Sequence, residues 1–304
     1  SKIDRRRCLT FYAGSEILVA KQALLAGSVH ILNLFGKSMK EIGAEYKPKD
    51  GDTPRTLIDT YAQKAILEEI TRYPEFKDDR FNAEEAEAFG SGDRVWYVDP
   101  YDGTSNAQIL LPMSTSGIGI VEESKLVASV MLQPFVQERK IYWAERGNGA
   151  YSAQLELSEG NILVEKTDTI KRLATDTESV KASNRYAWVD ALFNAKTTDR
   201  KNLWIKRMVE EGLTQNIRET GSNIDYSIMV ASGRGHCQLT DAVGGFFDLC
   251  GFNLIEEAGG RMVNINGEEP KLGDQVAVAV ANPKDLDAVL RITQDCYKDY
   301  KGFR

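Results

Sequence analysis

The chain has 304 residues, with 38 Lys and Arg against 45 Asp and Glu. The resulting net charge of −7 argues against a broad nucleic-acid footprint, which needs clustered positive charge, so no nucleic-acid polymer is expected as a partner. Hydrophobic residues at 42% and charged ones at 27% are the balance of a globular protein, and no stretch is read as approaching the roughly 20 apolar residues of a membrane span, so no membrane partner is expected.

In chain order, residues 11–35 put Ile17, Leu18, Leu24, Leu25, Ile31 and Leu32 on one apolar face and predict a helix ending near Gly36. Pro54 is expected to open a second helix carrying Leu57, Ile58, Tyr61, Ala65 and Ile70, with Pro74 as its stop. Val95 to Val98 reads as a buried strand halted at Asp99-Pro100. Two β-rich runs between Ser116 and Leu132 flank Glu122-Glu123-Ser124-Lys125 as a hairpin, and Ile141 to Trp143 before Arg146-Gly147-Asn148-Gly149 reads as another. Residues 155–180 are polar and poorly patterned, which suggests an α+β subdomain over 1–155 and an α/β subdomain over 156–304. In the second, strand-like runs at 179–183, 236–239, 261–265 and 276–280 alternate with helix-like runs at 201–211, 223–232, 246–258 and 284–294.

Cys8, Cys237, Cys250 and Cys296 are too sparse for a disulfide scaffold and show no CxxC spacing, which points to a reducing, cytoplasmic setting. The basic Arg5, Arg6 and Arg7 lead into neither an apolar signal core nor a cleavage site, so export is not expected. His236 beside Cys237 reads as a strand residue next to a buried thiol rather than as half of a zinc site.

The chemistry concentrates in Asp99-Pro100-Tyr101-Asp102-Gly103-Thr104-Ser105-Asn106, two carboxylates three apart in a tight turn after an apolar run. Neighbouring anions raise each other's pKa unless a cation lies between them, and carboxylate oxygens on a turn are what a hard ion such as Mg2+ takes. Gly103 permits tight or positive-φ backbone, and a nest or helix start here would aim N–H groups at a phosphate. A plain Asx-type turn explains the same residues taken alone. Haloacid-dehalogenase-type phosphatases place their two aspartates two apart, and an EF-hand fails at Pro100.

The motif resembles the Asp-Pro-x-Asp-Gly-Thr-x-Asn signature of the inositol monophosphatase family. Three further segments are similar to that family in the same order: Pro54-Arg55-Thr56-Leu57-Ile58-Asp59, Ala83-Glu84-Glu85, and Phe247-Asp248-Leu249-Cys250-Gly251 running on to Glu256-Glu257-Ala258-Gly259-Gly260. The resemblance implies a layered αβαβα sandwich, a homodimer, and Mg2+-dependent, Li+-sensitive hydrolysis of a small phosphate monoester, with two to three Mg2+ per site. It implies that Glu84, Asp99 and the Tyr101 carbonyl hold one ion, that Asp99, Asp102 and Asp248 hold a second, and that Glu84 faces a third. Thr104 with Asp59 would orient the attacking water. Asp102, Gly103, Thr104, Gly221, Ser222, Asn223 and Asp241 would line the substrate pocket, while Glu85 and Glu87 go to the surface or support the ligands from behind.

A helix cap explains Asp248, and a solvated loop acid explains Asp241, about as well as these roles do. Ala83, Ala107, Phe247 and Leu249-Cys250 depart from the family pattern in the pocket walls without removing a ligand. These departures change the walls around the metals more than the chemistry, and what the resemblance implies as substrate is a polyol or sugar phosphate, by default myo-inositol 1-phosphate. The alternatives are a 3′-phosphoadenosine 5′-phosphate nucleotidase, a fructose-1,6-bisphosphatase, or a non-catalytic metal- or phosphate-binding regulator.

Overall fold

The computed structural model describes residues 15–43, 45–46, 54–135, 138–175, 185–189, 195–241, 247, 250–271 and 273–298. Helix α1 (Ser15–Leu34) is followed by the short pair β1 (Glu45–Tyr46) and β2 (Pro54–Arg55), and by helix α2 (Leu57–Thr71). Pro54 does not open α2. Thr56 caps it, because its side chain accepts from Ile58 N while its own N–H donates to Asp59 Oδ2 at 2.7 Å, and the reciprocal pair satisfies two helix-end donors. The helix ends at Thr71, ahead of Pro74.

Sheet one takes β3 (Arg80–Ala83), β4 (Val95–Asp102), β5 (Thr115–Glu122), β6 (Lys125–Gln133), β7 (Lys140–Glu145), β8 (Gly149–Ser158) and β9 (Ile162–Arg172) side by side in chain order, with helix α3 (Thr104–Gln108) between β4 and β5. Only β3 and β4 are parallel among these neighbours; the rest pair antiparallel, as the two expected hairpins require. Sheet two orders β11 (Asn216–Arg218), β10 (Tyr186–Val189), β12 (Cys237–Asp241), β14 (Val276–Val280) and β13 (Arg261–Asn264). Here β10 lies parallel to both β11 and β12, and β14 runs antiparallel to β12 and β13. Its helices are α4 (Ala195–Glu210), α5 (Asn223–Ala231), α6 (Phe252–Glu257) and α7 (Leu286–Tyr297).

Strand alternation explains the layers. Trp96 and Val98 of β4 join Ile17, Leu24, Ile66 and Ile70 in the core between sheet one and helices α1 and α2. Tyr97, between them in sequence, faces the other way into a core with Ile224, Ile228, Leu254, Ile255, Ala277 and Ala279, so α5 and α6 lie between the two sheets. The far face of sheet two packs Val189, Leu239 and Val278 against Trp204, Met208, Val289 and Ile292 of α4 and α7. The order is helices, sheet, helices, sheet, helices: the layered α/β sandwich expected.

The described residues refine several expectations. β4 does not stop at Asp99-Pro100 but runs to Asp102 through a register shift. Sheet one continues to Arg172, so the division at 155/156 falls inside β8; β9 looked unpatterned because it is an edge strand with most side chains partly or fully exposed. The helix expected over 246–258 is described only as Phe252–Glu257, while the run at 179–183 lies outside the described residues. Finally, α1 is long and apolar enough to cross a membrane by length and composition. Its Ile17, Ala20 and Leu24 are buried in the protein core, and Lys21, against the Trp143 ring, pairs with Glu165 of β9 at 2.7 Å, so α1 is a core helix.

Candidate active site

On β4, Asp99 pairs with Gly117 and Asp102 with Thr115, three steps on one strand against two on the other. The extra residue makes a bulge, which is where a strand tolerates proline and re-aims its side chains. Ser116 Oγ donates to the Pro100 carbonyl at 2.7 Å, and Tyr101 N donates to Asp99 Oδ1 at 3.0 Å, which fixes that carboxylate over the turn. Gly103 then takes φ 99° and caps α3, which begins at Thr104 inside the motif. A Cβ at Gly103 would lie 3.0 Å from the Met113 carbonyl, so glycine is needed for conformation and space alike. Asn106 Nδ2 donates to Met113 O at 2.6 Å and Thr220 O at 2.7 Å, tying the turn to the strand-to-helix segment of sheet two.

Thr104 Oγ1 donates to Asp59 Oδ1 at 2.7 Å and lies 3.2 Å from the Tyr101 carbonyl. Asp59 Oδ2 accepts from the Thr56 N–H and hydroxyl, at 2.7 and 2.6 Å. Burial pushes the Asp59 carboxyl above its ordinary range; the hydrogen bonds from Thr56 and Thr104 oppose this, and the nearby Glu85 adds to it. Asp102 Oδ2 accepts from Ser222 Oγ and Ile224 N, each at 2.7 Å, so the carboxylate sits at the start of α5 where helix N–H groups favour negative charge.

Glu84 continues β3 beside β4, donating its N–H to the Val98 carbonyl at 3.1 Å, one residue from Asp99. Its neighbour Glu85 is not a surface residue: the side chain is 2% exposed, faces Asp59 and lies 3.8 Å from Arg55. Gln63 Oε1, one helical turn after Asp59, accepts the Glu85 N–H at 2.8 Å. Sequence reasoning missed Gln63, although its spacing from Asp59 on α2 puts both on one face. Glu87 is exposed. Asp241 ends β12 and is buried rather than a solvated loop acid; Tyr297 OH donates to its Oδ2 at 2.6 Å. Thr240, next to it, donates to Asn223 Oδ1 at 3.3 Å.

The structure thus joins Asp59, Tyr101 and Thr104 in one contact set and Asp102 and Ser222 in another, with Asn223 linked to Thr240. Asp248 lies outside the described residues. Carboxylate and carbonyl oxygens are the donor set a hard divalent ion takes. Among the described residues, however, no group of three or more His, Cys, Asp or Glu side chains is drawn together to hold an ion, so the described ligands are an incomplete cage. His236 and Cys237 are both buried at sheet two. A separate groove of about 990 Å³, lined by Asp79, Arg94, Val95, Glu122 and Lys271 among others, contains none of the motif residues.

The sequence profile described as the inositol monophosphatase family matches residues 15–298. The fructose-1,6-bisphosphatase/inositol-1-monophosphatase of Thermotoga maritima is 30% identical over 249 residues, 81% of this chain and 85% of that protein. The inositol-1-monophosphatase of Synechocystis sp. is 29% identical over 80% of this chain and 76% of its own length, and Nus factor SuhB of Xylella fastidiosa is 26% identical over 72% of each. Among solved structures, the extragenic suppressor protein suhB of Bartonella henselae superposes with a TM-score of 0.77 at 20% identity, covering 92% of this chain and 99% of that one. On the match across nearly its whole length, this chain belongs to the inositol monophosphatase family.

Proposed function

We propose that the chain is a Mg2+-dependent phosphomonoesterase acting on a polyol or sugar phosphate, with myo-inositol 1-phosphate as the default substrate. The observation that carries this reading is the Thr104 to Asp59 hydrogen bond of 2.7 Å, formed beside the Asp99 and Asp102 bulge. Because the Thr104 proton is committed to Asp59, the Thr104 oxygen is left to accept from a water O–H, which turns a water lone pair toward phosphorus. As the water oxygen bonds to phosphorus, the ester P–O bond breaks, and one of the two water protons ends on the departing oxygen while the other stays on the released phosphate.

Glu84, Asp99, the Tyr101 carbonyl, Asp102 and Asp248 would hold the ions. When bound, two or three Mg2+ supply Lewis-acid polarisation of phosphate and activation of water. Asp102, Gly103, Thr104 and the segment Gly221, Ser222, Asn223 would line the substrate, and Li+ would inhibit. A homodimer in the cytoplasm completes the reading: Ile109 and Leu110, just past α3, are 71% and 54% exposed, and Cys237, Cys250 and Cys296 form no disulfide among the described residues.

The test is phosphate release from myo-inositol 1-phosphate, fructose 1,6-bisphosphate and 3′-phosphoadenosine 5′-phosphate, with Mg2+ and with excess EDTA. Release from the polyol monophosphate that EDTA abolishes is expected. Undiminished release in EDTA overturns the metal reading, and no release from any substrate favours the non-catalytic regulator.

A further inference from the structure

The parallel strands β10, β11 and β12 end on the same side of sheet two, and ligands bind at such carboxyl ends in open α/β sheets. Two acids lie there, Glu219 just after β11 and Asp241 at the end of β12. Each is held by a helix of the outer layer. Lys201 of α4 pairs with Glu219, and Tyr297 of α7 donates to Asp241 Oδ2 at 2.6 Å. Both acids also adjoin the segment that the motif grips: Thr220 follows Glu219 and accepts from Asn106, while Thr240 precedes Asp241 and donates to Asn223.

Asp241 and Tyr297 are each 1% exposed, so neither can swing to solvent. Tyr297 holds Oδ2, and Oδ1 accepts no hydrogen bond from the described residues. A buried acceptor left without a donor is costly, and a donor supplied by a ligand relieves that cost.

Building on the phosphatase reading, we propose that Tyr297 is a positioning residue for leaving-group specificity: it holds Asp241 so that Oδ1 accepts a hydroxyl of an uncharged polyol. Lys201 and Arg200 both face Asp241, so the acid stays charged at neutral pH and able to accept a hydroxyl.

Tyr297→Phe removes the hydroxyl and keeps the ring. Kinetics with Mg2+ are compared on myo-inositol 1-phosphate and on 4-nitrophenyl phosphate, whose leaving group carries no further hydroxyl. The ratio of the polyol KM to the aryl KM should rise about tenfold, with kcat for both within about twofold. Asp241→Asn should raise the polyol KM at least as much, and the double variant should add nothing, because Tyr297 acts only through Asp241. An unchanged KM ratio, an equal loss on both substrates, or additive losses overturn the assignment of Tyr297 while leaving the phosphatase intact. A wild-type protein inactive on every ester overturns the phosphatase reading together with this one.

Discussion

Thr104 and Asp59, 45 positions apart in the chain, are joined by a 2.7 Å hydrogen bond whose acceptor is itself anchored to the cap of α2. Thr104→Val removes that donor and leaves a buried Asp59 oxygen one bond short. The kcat should fall by about two powers of ten and stability by about 1–3 kcal/mol, while Thr104→Ser restores most of both. Steady-state kinetics and urea denaturation check this. An unchanged kcat in the valine variant would move water positioning away from Thr104.

Asp102→Asn keeps an oxygen able to accept from Ser222 and Ile224 but removes the charge. Turnover should fall at least about a hundredfold with the fold intact by circular dichroism, whereas the exposed Glu87→Gln stays within about twofold. Equal behaviour of the two variants contradicts the assignment.

Burial raises the Asp241 carboxyl from 3.8 to about 6, against the opposing hydrogen bond from Tyr297 and the charge of Lys201. The folded state therefore binds this proton more tightly than the unfolded chain does. Its contribution to stability is complete below pH 3.8 and is lost as pH rises through about 6. The loss is of the order of 2–3 kcal/mol. Denaturation at pH 4 and pH 7 should show wild type losing this much relative to Asp241→Asn; parallel pH profiles would show that the group does not titrate in this window.

Gly117 pairs with Asp99, and a Cβ there would fall 2.7 Å from both Cys250 Sγ and Ile224 Cδ1. Gly117→Ala should cost about 1–3 kcal/mol by overpacking and lower activity through the displaced strand. Thermal unfolding together with kcat reads both effects, and a variant as stable as wild type shows that the inter-sheet layer yields.

The motif was legible because its parts are local: an apolar strand, a proline, two acids and a glycine within eight residues. The layered order was legible through the family resemblance and the alternation of segments after residue 185. The halt expected at Pro100 failed because a bulge accommodates proline without ending the strand. β9 escaped because the register of its pairing with β8 shifts, and only Leu163 of its side chains is buried, too few to impose a readable alternation. Gln63, Tyr297 and the burial of Glu85 and Asp241 depend on contacts between distant segments, and no local pattern announces which helix will cover which acid. Asp248, expected through the resemblance, lies outside the described residues.

Three hydrogen bonds cross between the motif and the start of α5: Asn106 to Thr220, Ser222 to Asp102, and Ile224 to Asp102. The motif turn is thus also a tie between sheet one and the segment that leads into α5. Sliding sheet one against sheet two would break all three, so these bonds oppose a jaw-like opening around a substrate. A chain cut between residues 175 and 185 would have to rebuild those three bonds before it could act, and recovery of activity on mixing the two pieces would report them forming.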